Sequence, residues 1–386
     1  MTNTHGYCDP AFTSVRDLLQ ENIANNCEVG ASLCVNIDGM NVIDLWGGHF
    51  DPERTKPWNK DTITVVWSCS KVVCNLAALT LVDRGLLDLN ENVAAYWPEF
   101  AAKGKDNVKV WQIMSHSSGV SGWEPPISWE DVFELRKSTD KLAAQEPWWT
   151  PGEQNGYHLV NQGHLIGEIV RRVSGKSLTQ FISDELTTPL DADFQLGVPE
   201  KDWSRTADVI PPPPRGFEGV ELNPVALKVY AGPPMEATIS STPAFRGAEI
   251  GGAGGFSNAR ALARIGSIVS LGGAVNGKQY LSVDTIDKMM TEQIAGYDMV
   301  TFLYIRYGLG VGLPVPQTFP FIPEGLICYW GGWGGSLIIM DRHRRMTIGY
   351  AMNKMGSAVI GNDRSQEYVE EIYRILDTLG ASHSSG

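Results

Sequence analysis

The sequence predicts an α/β plus α fold: β-rich and helical segments toward both chain ends, around a mainly helical middle. Three observations carry this expectation. Short β-rich runs gather before about residue 67 and after about residue 330. The stretch from about 90 to 245 has few such runs and several helical ones. No internal repeat or low-complexity linker separates the parts, so if both ends build one sheet, the helical middle is an insertion into it. The expected division is a discontinuous sheet domain, 1–66 and 245–386, and a mainly helical domain, 67–244.

Each element has its own signal. Phe12, Val15, Leu19 and Ile23 recur at three-to-four spacing and predict an amphipathic helix within 10–27. Val29 to Asp38 and Asn41 to Trp46 are β-rich runs around Asp38-Gly39, which predicts a hairpin. A polar loop with Pro52, Pro57 and Lys60 follows, then a strand-like run, Ile63 to Trp67. Val72, Val73, Leu76, Leu79 and Val82 predict a buried helix opening at Ser68, with Gly85 as a C-cap. The clearest helix of the middle runs from Gln162 to Val173, with Gly175 as its stop. Pro211 to Pro214 predicts a rigid loop, because proline cannot donate to a helix or a sheet. Gly251-Gly-Ala-Gly-Gly255 precedes Ser257, an N-cap candidate for a helix to about Leu271. Gly334 to Met340 and Met346 to Met352 predict paired strands about a turn at Asp341. Gln366 to Leu379 predicts a last helix with Val369, Ile372 and Leu376 inward.

Composition excludes several functions. Lys plus Arg number 31 and Asp plus Glu 44, a net charge of −13, and no basic run exceeds the one around Arg344-Arg345. Nucleic acid and anionic membranes both need clustered positive charge, so neither is an expected partner. No apolar stretch is long enough to span a bilayer, and the first residues lack the basic and apolar regions of a secretory signal. A cytoplasmic location is therefore expected. Cys8, Cys27, Cys34, Cys69, Cys74 and Cys328 form no CxxC pair and are expected as mostly buried, reduced thiols. GxSxG and HExxH are absent, and Gly251 to Gly255 matches neither phosphate-binding glycine pattern. His158 and His164 lack zinc-site spacing, and His116 is expected to make structural hydrogen bonds. No metal and no organic cofactor is expected.

Three segments could carry chemistry. In Ser68-Cys-Ser-Lys71 a lysine lies one helical turn from a serine, on the same face, where it could take the hydroxyl proton. Free N–H groups at a helix start would also favour a developing oxyanion. The plain alternative is that Ser68 caps the helix. The same spacing recurs in Ser138-Thr-Asp-Lys141, within a polar run that reads as a solvated helix face. Tyr157 ends the turn-rich segment Pro151-Gly-Glu-Gln-Asn-Gly-Tyr157 and could act as a base if cations lower its pKa; a loop tyrosine is otherwise a packing residue. Trp330-Gly-Gly-Trp-Gly-Gly-Ser336 lies ahead of a strand, and its glycines admit a close backbone or ligand approach; alone it reads as a bend.

In this order the segments resemble the serine β-lactamase-like superfamily, from about Val29 to Met355. The similarity is to class C β-lactamases, D-alanyl-D-alanine carboxypeptidases and especially family VIII carboxylesterases. Its marks are Asp44-Leu-Trp-Gly-Gly48, Val66-Trp-Ser-Cys-Ser-Lys71, Tyr96-Trp-Pro-Glu-Phe100, Ser115-His-Ser-Ser-Gly119, Pro151-Gly-Glu153 with Tyr157, Tyr307-Gly-Leu-Gly310 and Tyr350-Ala-Met-Asn353. The resemblance implies a class C β-lactamase-like fold: an antiparallel sheet built from both chain ends and flanked by helices, with a large inserted helical domain and the active site between them. It implies Ser68 as acylated nucleophile, with Lys71 and Tyr157 sharing the base work. The backbone N–H groups of Ser68 and Trp333 would form the oxyanion hole. Trp330, Gly331 and Gly332 stand where the lactamases have Lys-Thr-Gly.

Two departures bear on substrate. Tyr157-His-Leu159 replaces Tyr-x-Asn, so the orienting amide is missing or supplied by Asn161. Trp330 replaces the cation that would bind a substrate carboxylate and lower the tyrosine pKa. Both point away from penicillins and peptidoglycan termini and toward neutral esters. Trp67, Trp111, Trp123, Trp148, Trp149, Trp330 and Trp333 lie near these motifs, and an aromatic-lined pocket is expected, with Leu159, Trp123, Trp149, Trp330 and Trp333 among its substrate-binding residues. The expected function is a carboxylesterase acting on a small-molecule ester through an acyl-enzyme. The alternative is an acyltransferase that hands the acyl group to an alcohol or amine. A β-lactamase or D-alanyl-D-alanine carboxypeptidase is disfavoured, and a non-catalytic binding protein more so.

Overall fold

The computed structural model describes residues 4–212 and 221–383. The first part holds β1 (Thr4–Cys8), α1 (Thr13–Ala24), β2 (Gly30–Ile37), β3 (Met40–Gly48) and β4 (Ile63–Trp67). The middle is mainly helical. Its helices are α2 (Cys69–Asp83), α3 (Val93–Tyr96), α4 (Val110–Met114), α5 (Trp129–Phe133), α6 (Leu135–Ala144), α7 (Gln162–Ser174) and α8 (Leu178–Ile182). Two short strands, β5 (Gln195–Leu196) and β6 (Thr206–Ala207), then precede α9 (Pro224–Tyr230) and α10 (Pro243–Gly247). The last part starts with β7 (Gly255–Ser257), α11 (Ala259–Ser270), the ribbon β8 (Ala274–Val275) and β9 (Lys278–Gln279), and α12 (Val283–Met290). It ends with β10 (Ile294–Tyr297), β11 (Tyr304–Tyr307), β12 (Gly312–Leu313), β13 (Ile327–Gly331), β14 (Leu337–Asp341), β15 (Met346–Met352) and α13 (Asp363–His383).

Both chain ends do build one antiparallel sheet, in the order β1-β3-β2-β15-β14-β13-β12-β11-β10. Its two halves join where β2 pairs β15, from Ala31 opposite Met352 to Ile37 opposite Met346. β13, β14 and β15 are buried throughout, which is why they read as near-continuous apolar runs and not as alternating strands. α11 lies on β2, β14 and β15. It comes close because a Cβ on Gly349 would stand 2.4 Å from the Ala259 carbonyl oxygen, and one on Gly266 2.6 Å from the Thr347 methyl. The terminal helices α1 and α13 pack on each other.

α2 is apolar on all sides and buried from Cys69 to Leu81, as a helix inside a protein must be. It touches β4 and β13 on one side and α7, α8 and α12 on others, so it is the axle between the sheet and the helical part.

Several expectations need correction. Ile63–Trp67, assigned with the main sheet, instead lies in a second, four-stranded sheet, β5-β7-β4-β6. That small sheet takes strands from both of the expected domains, so a boundary at 66/67 cuts through one hydrogen-bonded unit. Ser257 ends β7, and its hydroxyl donates to the Asp193 carbonyl; the cap of α11 is Asn258, whose side chain accepts the Ala261 N–H. The Ser138–Lys141 pair is not a solvated face, because α6 packs on α7. Ser138 is fully buried there, while Lys141 donates outward to the Pro126 carbonyl. Pro213 and Pro214 of the expected rigid loop lie outside the described residues. β1 and β10 to β12 went unforeseen, since β1 and β10 are edge or short strands with no clean alternation. Five of the cysteines are buried free thiols, while Cys27 is exposed.

One close approach sets the distance of α7 from the glycine run before β7. A Cβ on Gly163, in the first turn of α7, would lie 2.0 Å from the Gly252 nitrogen. Gly251 and Gly252 of the glycine run are therefore where α7 comes closest. Gly163→Ala should gain about 1 kcal/mol of helix propensity but force two backbones apart. The expected net loss is about 1–3 kcal/mol, read as a lower urea midpoint with an unchanged m value.

Candidate active site

Ser68 sits at the turn from β4 into α2. Trp67 before it has φ +46°, a left-handed conformation that a bulky residue adopts only when its surroundings hold it there. They do. The Ser70 hydroxyl donates to the Trp67 carbonyl and accepts the Gly255 N–H at 2.8 Å. The Trp67 indole is wedged between Phe245 and Trp333, with ring centroids 5.8 and 5.2 Å away. Ser68 occupies the cap position of α2, yet its side chain makes no capping bond. The capping alternative is thereby removed, and the hydroxyl is free for Lys71.

Lys71 is buried, and its Nζ has three neighbours: Ser68 Oγ at 3.1 Å, the Leu159 carbonyl at 2.8 Å and the Gly252 carbonyl at 2.6 Å. Burial lowers its pKa to about 7. A neutral amine has two N–H donors and one lone pair. The two carbonyls take the donors, and the lone pair is left facing the serine hydroxyl.

Tyr157 is buried beside this pair. Its phenol bonds the Ser68 side chain and accepts the Trp330 indole N–H at 3.1 Å. Lys71 Nζ lies 4.6 Å from its ring centroid. Burial pushes the phenol well upward, outweighing the help of Ser68 and Trp330, so Tyr157 stays protonated. Any base work shared with Lys71 therefore starts from a protonated phenol.

The Tyr157 segment is held from behind by histidines. His158 N–H donates to His116 Nδ1 at 3.0 Å, and His158 itself bridges the Ser118 hydroxyl, 2.6 Å, and the Gly156 carbonyl, 2.8 Å. Burial keeps both imidazoles neutral, far below their usual range. His116 also lies against the rings of Tyr157, Tyr307 and Trp330.

The remaining expected site residues divide. Gly332 runs so close to β4 that a Cβ there would meet the Val66 carbonyl at 2.2 Å, which brings Trp333 alongside Trp67 and Ser68. Gly331 is pressed against Ile360. Trp330 is buried and turned to Tyr157, so it braces the phenol and does not wall a pocket. Leu159 contributes its carbonyl to Lys71. The Asn161 amide nitrogen is committed to the Val120 carbonyl at 2.8 Å. Trp149 folds over Gly156, next to Tyr157, and bonds the Gln154 carbonyl. Trp123 belongs to the helical core, its N–H on the Ser138 carbonyl and its ring against His164. The tryptophans thus form a small cluster at Ser68 and not one continuous pocket. Two residues escaped the sequence: Gly252, within a glycine run whose purpose periodicity does not reveal, and Asp298, an isolated carboxylate in no motif. Among the described residues, no group of three or more His, Cys, Asp or Glu side chains could hold a metal ion. No described helix is long and apolar enough to cross a membrane.

Comparison with known proteins bears on the family and the fold. Residues 15–370 match the family described as Beta-lactamase. Esterase/beta-lactamase LipL of Mycobacterium tuberculosis is 28% identical over 373 residues, 93% of this chain and 85% of that protein. A family VIII carboxylesterase crystal structure is 36% identical, with TM-score 0.92, covering 97% of this chain and all 100% of the other. A penicillin-binding protein homologue from Caulobacter crescentus is 34% identical, with TM-score 0.90 and the same coverage.

Trp330→Phe keeps the aromatic packing and deletes the N–H on Tyr157. Labelling of Ser68 by a fluorophosphonate should slow about tenfold, the worth of one buried hydrogen bond. An unchanged labelling rate in a folded variant would detach Trp330 from the phenol.

Proposed function

The chain belongs to the beta-lactamase family, as a carboxylesterase-like serine hydrolase, and from that premise we propose that it hydrolyses a neutral carboxylic ester through acylation of Ser68. The observation that carries this reading is the buried Lys71 amine, 3.1 Å from Ser68 Oγ, with both of its N–H donors spoken for by carbonyls. Neutral Lys71 takes the Ser68 proton as Oγ attacks the acyl carbon. The backbone N–H groups of Ser68 and Trp333 receive the developing oxyanion. Tyr157 gives its proton to the departing alkoxide, and the Lys71 ammonium returns one to the phenol. Water then attacks the acyl carbon in the reverse sequence, which frees Ser68 and the acid.

Substrate class follows from what lines the serine. Trp330 brings no charge where a lysine would attract a carboxylate, so a free carboxylate on the substrate finds no partner there. Trp333, half-buried with its ring against the buried Trp67, offers apolar surface to a neutral acyl group.

The first test is turnover of short and medium p-nitrophenyl esters beside a chromogenic cephalosporin. Ester turnover should fall at least roughly 10³-fold in Ser68→Ala, with little cephalosporin cleavage by the wild type. Turnover that survives the substitution would assign another nucleophile. Adding an alcohol acceptor separates hydrolysis from acyl transfer by the product formed.

The pH dependence has a definite sign. Below its folded pKa of about 7, Lys71 is an ammonium and Ser68 has no base; above it the amine is neutral. Ester turnover should therefore rise as pH passes upward through about 7. Lys71→Arg, which cannot deprotonate, should lose roughly 10²-fold or more at every pH. A flat profile between pH 5 and 8, or an active arginine variant, would remove Lys71 as the base.

A further inference from the structure

Asp298 follows β10, is buried, and has no cation within ion-pair distance among the described residues. Four donors meet its carboxylate. Oδ1 accepts the N–H of Val300 at 2.9 Å and of Thr301 at 2.8 Å, and Oδ2 accepts the Tyr307 hydroxyl at 3.1 Å. The fourth donor is the main-chain N–H of Tyr157. A second strut lies beside it, from the Met299 N–H to the Asn155 carbonyl at 3.0 Å. Tyr307 in turn packs on His116 and on Trp330, with centroids 4.8 and 5.7 Å away, and Trp330 holds the Tyr157 hydroxyl. One carboxylate therefore grips Tyr157 at both ends: its main chain directly, and its phenol through Tyr307 and Trp330.

The ordinary role for an aspartate here is to close the 298–301 turn. That role needs two acceptor sites, which an asparagine supplies without the cost of a buried charge. An ionised carboxylate offers about four lone-pair sites and no donor, and four donors are what this position faces. The arrangement fits the seating of Tyr157 better than it fits the turn alone.

We propose that Asp298 is a positioning residue for Tyr157, fixing the phenol in reach of Ser68 by holding its main chain and bracing the Tyr307–Trp330 stack. The proposal rests on the acyl-Ser68 reading. It acts through Tyr157 and touches no substrate, so its signature is dependence on Tyr157.

The test is a double-mutant cycle read by the rate of fluorophosphonate labelling at Ser68 in wild type, Asp298→Ala, Tyr157→Phe and the double variant. Asp298→Ala should slow labelling roughly 10- to 100-fold while the phenol is present, and by less than about twofold once it is absent. In the ester assay the loss should fall on kcat, with KM little changed. Equal losses in both backgrounds would make Asp298 a purely structural residue and overturn the proposal, as would wild-type labelling by Asp298→Ala. Tyr307→Phe, which removes one donor and leaves no large cavity, is read in the same cycle against Tyr157→Phe. It decides the matter if Asp298→Ala fails to fold. Labelling that persists in Ser68→Ala would instead sink the acyl-Ser68 reading, whatever the cycle gives.

Discussion

A lysine buried without a carboxylate is the constraint on which the rest of the site depends. An ammonium in that position would be costly, so Lys71 sits near neutrality with a pKa of about 7. Its N–H groups still need acceptors, and two backbone carbonyls supply them, one just before α7 and one from the glycine run before β7. Three distant segments must therefore meet at one nitrogen. The glycines at 163 and 252 exist for that meeting, since a side chain on either would collide with backbone at about 2 Å. The packing that makes α2 the buried axle of the fold also strips water from the amine, so stability of the core and basicity of the lysine have one cause.

The second feature is a division of labour that burial imposes on two groups of opposite type. Removing water disfavours the charged form of each. For the amine that means a lower pKa and a usable lone pair; for the phenol it means a higher one and a retained proton. In the proposed acylation step, one desolvated environment thus favours the amine as base and the phenol as acid. Trp330 fits this logic. An indole N–H orients the phenol oxygen as a lysine could, but carries no charge that would ionise it or bind a substrate carboxylate. The substitution that pointed from the sequence toward neutral esters also changes how the tyrosine is held.

Tyr157 is correspondingly over-determined. Its hydroxyl meets Trp330 and Ser68, its ring meets His116 and Lys71, its following residue is tied to His116 and its own N–H to Asp298. A loop residue held on so many sides loses little further freedom when a substrate arrives, which is the condition for productive geometry.

Much of this is legible in the chain alone. The helical spacing of Ser68 and Lys71, the glycine stop of α7, the β2–β3 hairpin and the β14–β15 pair are local patterns, set by periodicities of 3.6 and 2 residues and by turn chemistry. The sheet built from both chain ends and the place of Tyr157 came with the family resemblance those motifs carry. The sequence by itself thus determined many of the elements and singled out Ser68, Lys71 and Tyr157 as candidates. The tertiary structure alone decided which sheet β4 joins, that Asn258 and not Ser257 caps α11, which tryptophans reach Ser68, that Trp330 faces the phenol, and that Asp298 lies beneath Tyr157. The physical reason is range. Propensity and spacing act between neighbours in the chain, while desolvation and hydrogen bonding act between residues as far apart as Tyr157 and Asp298, and are defined only once the chain has packed.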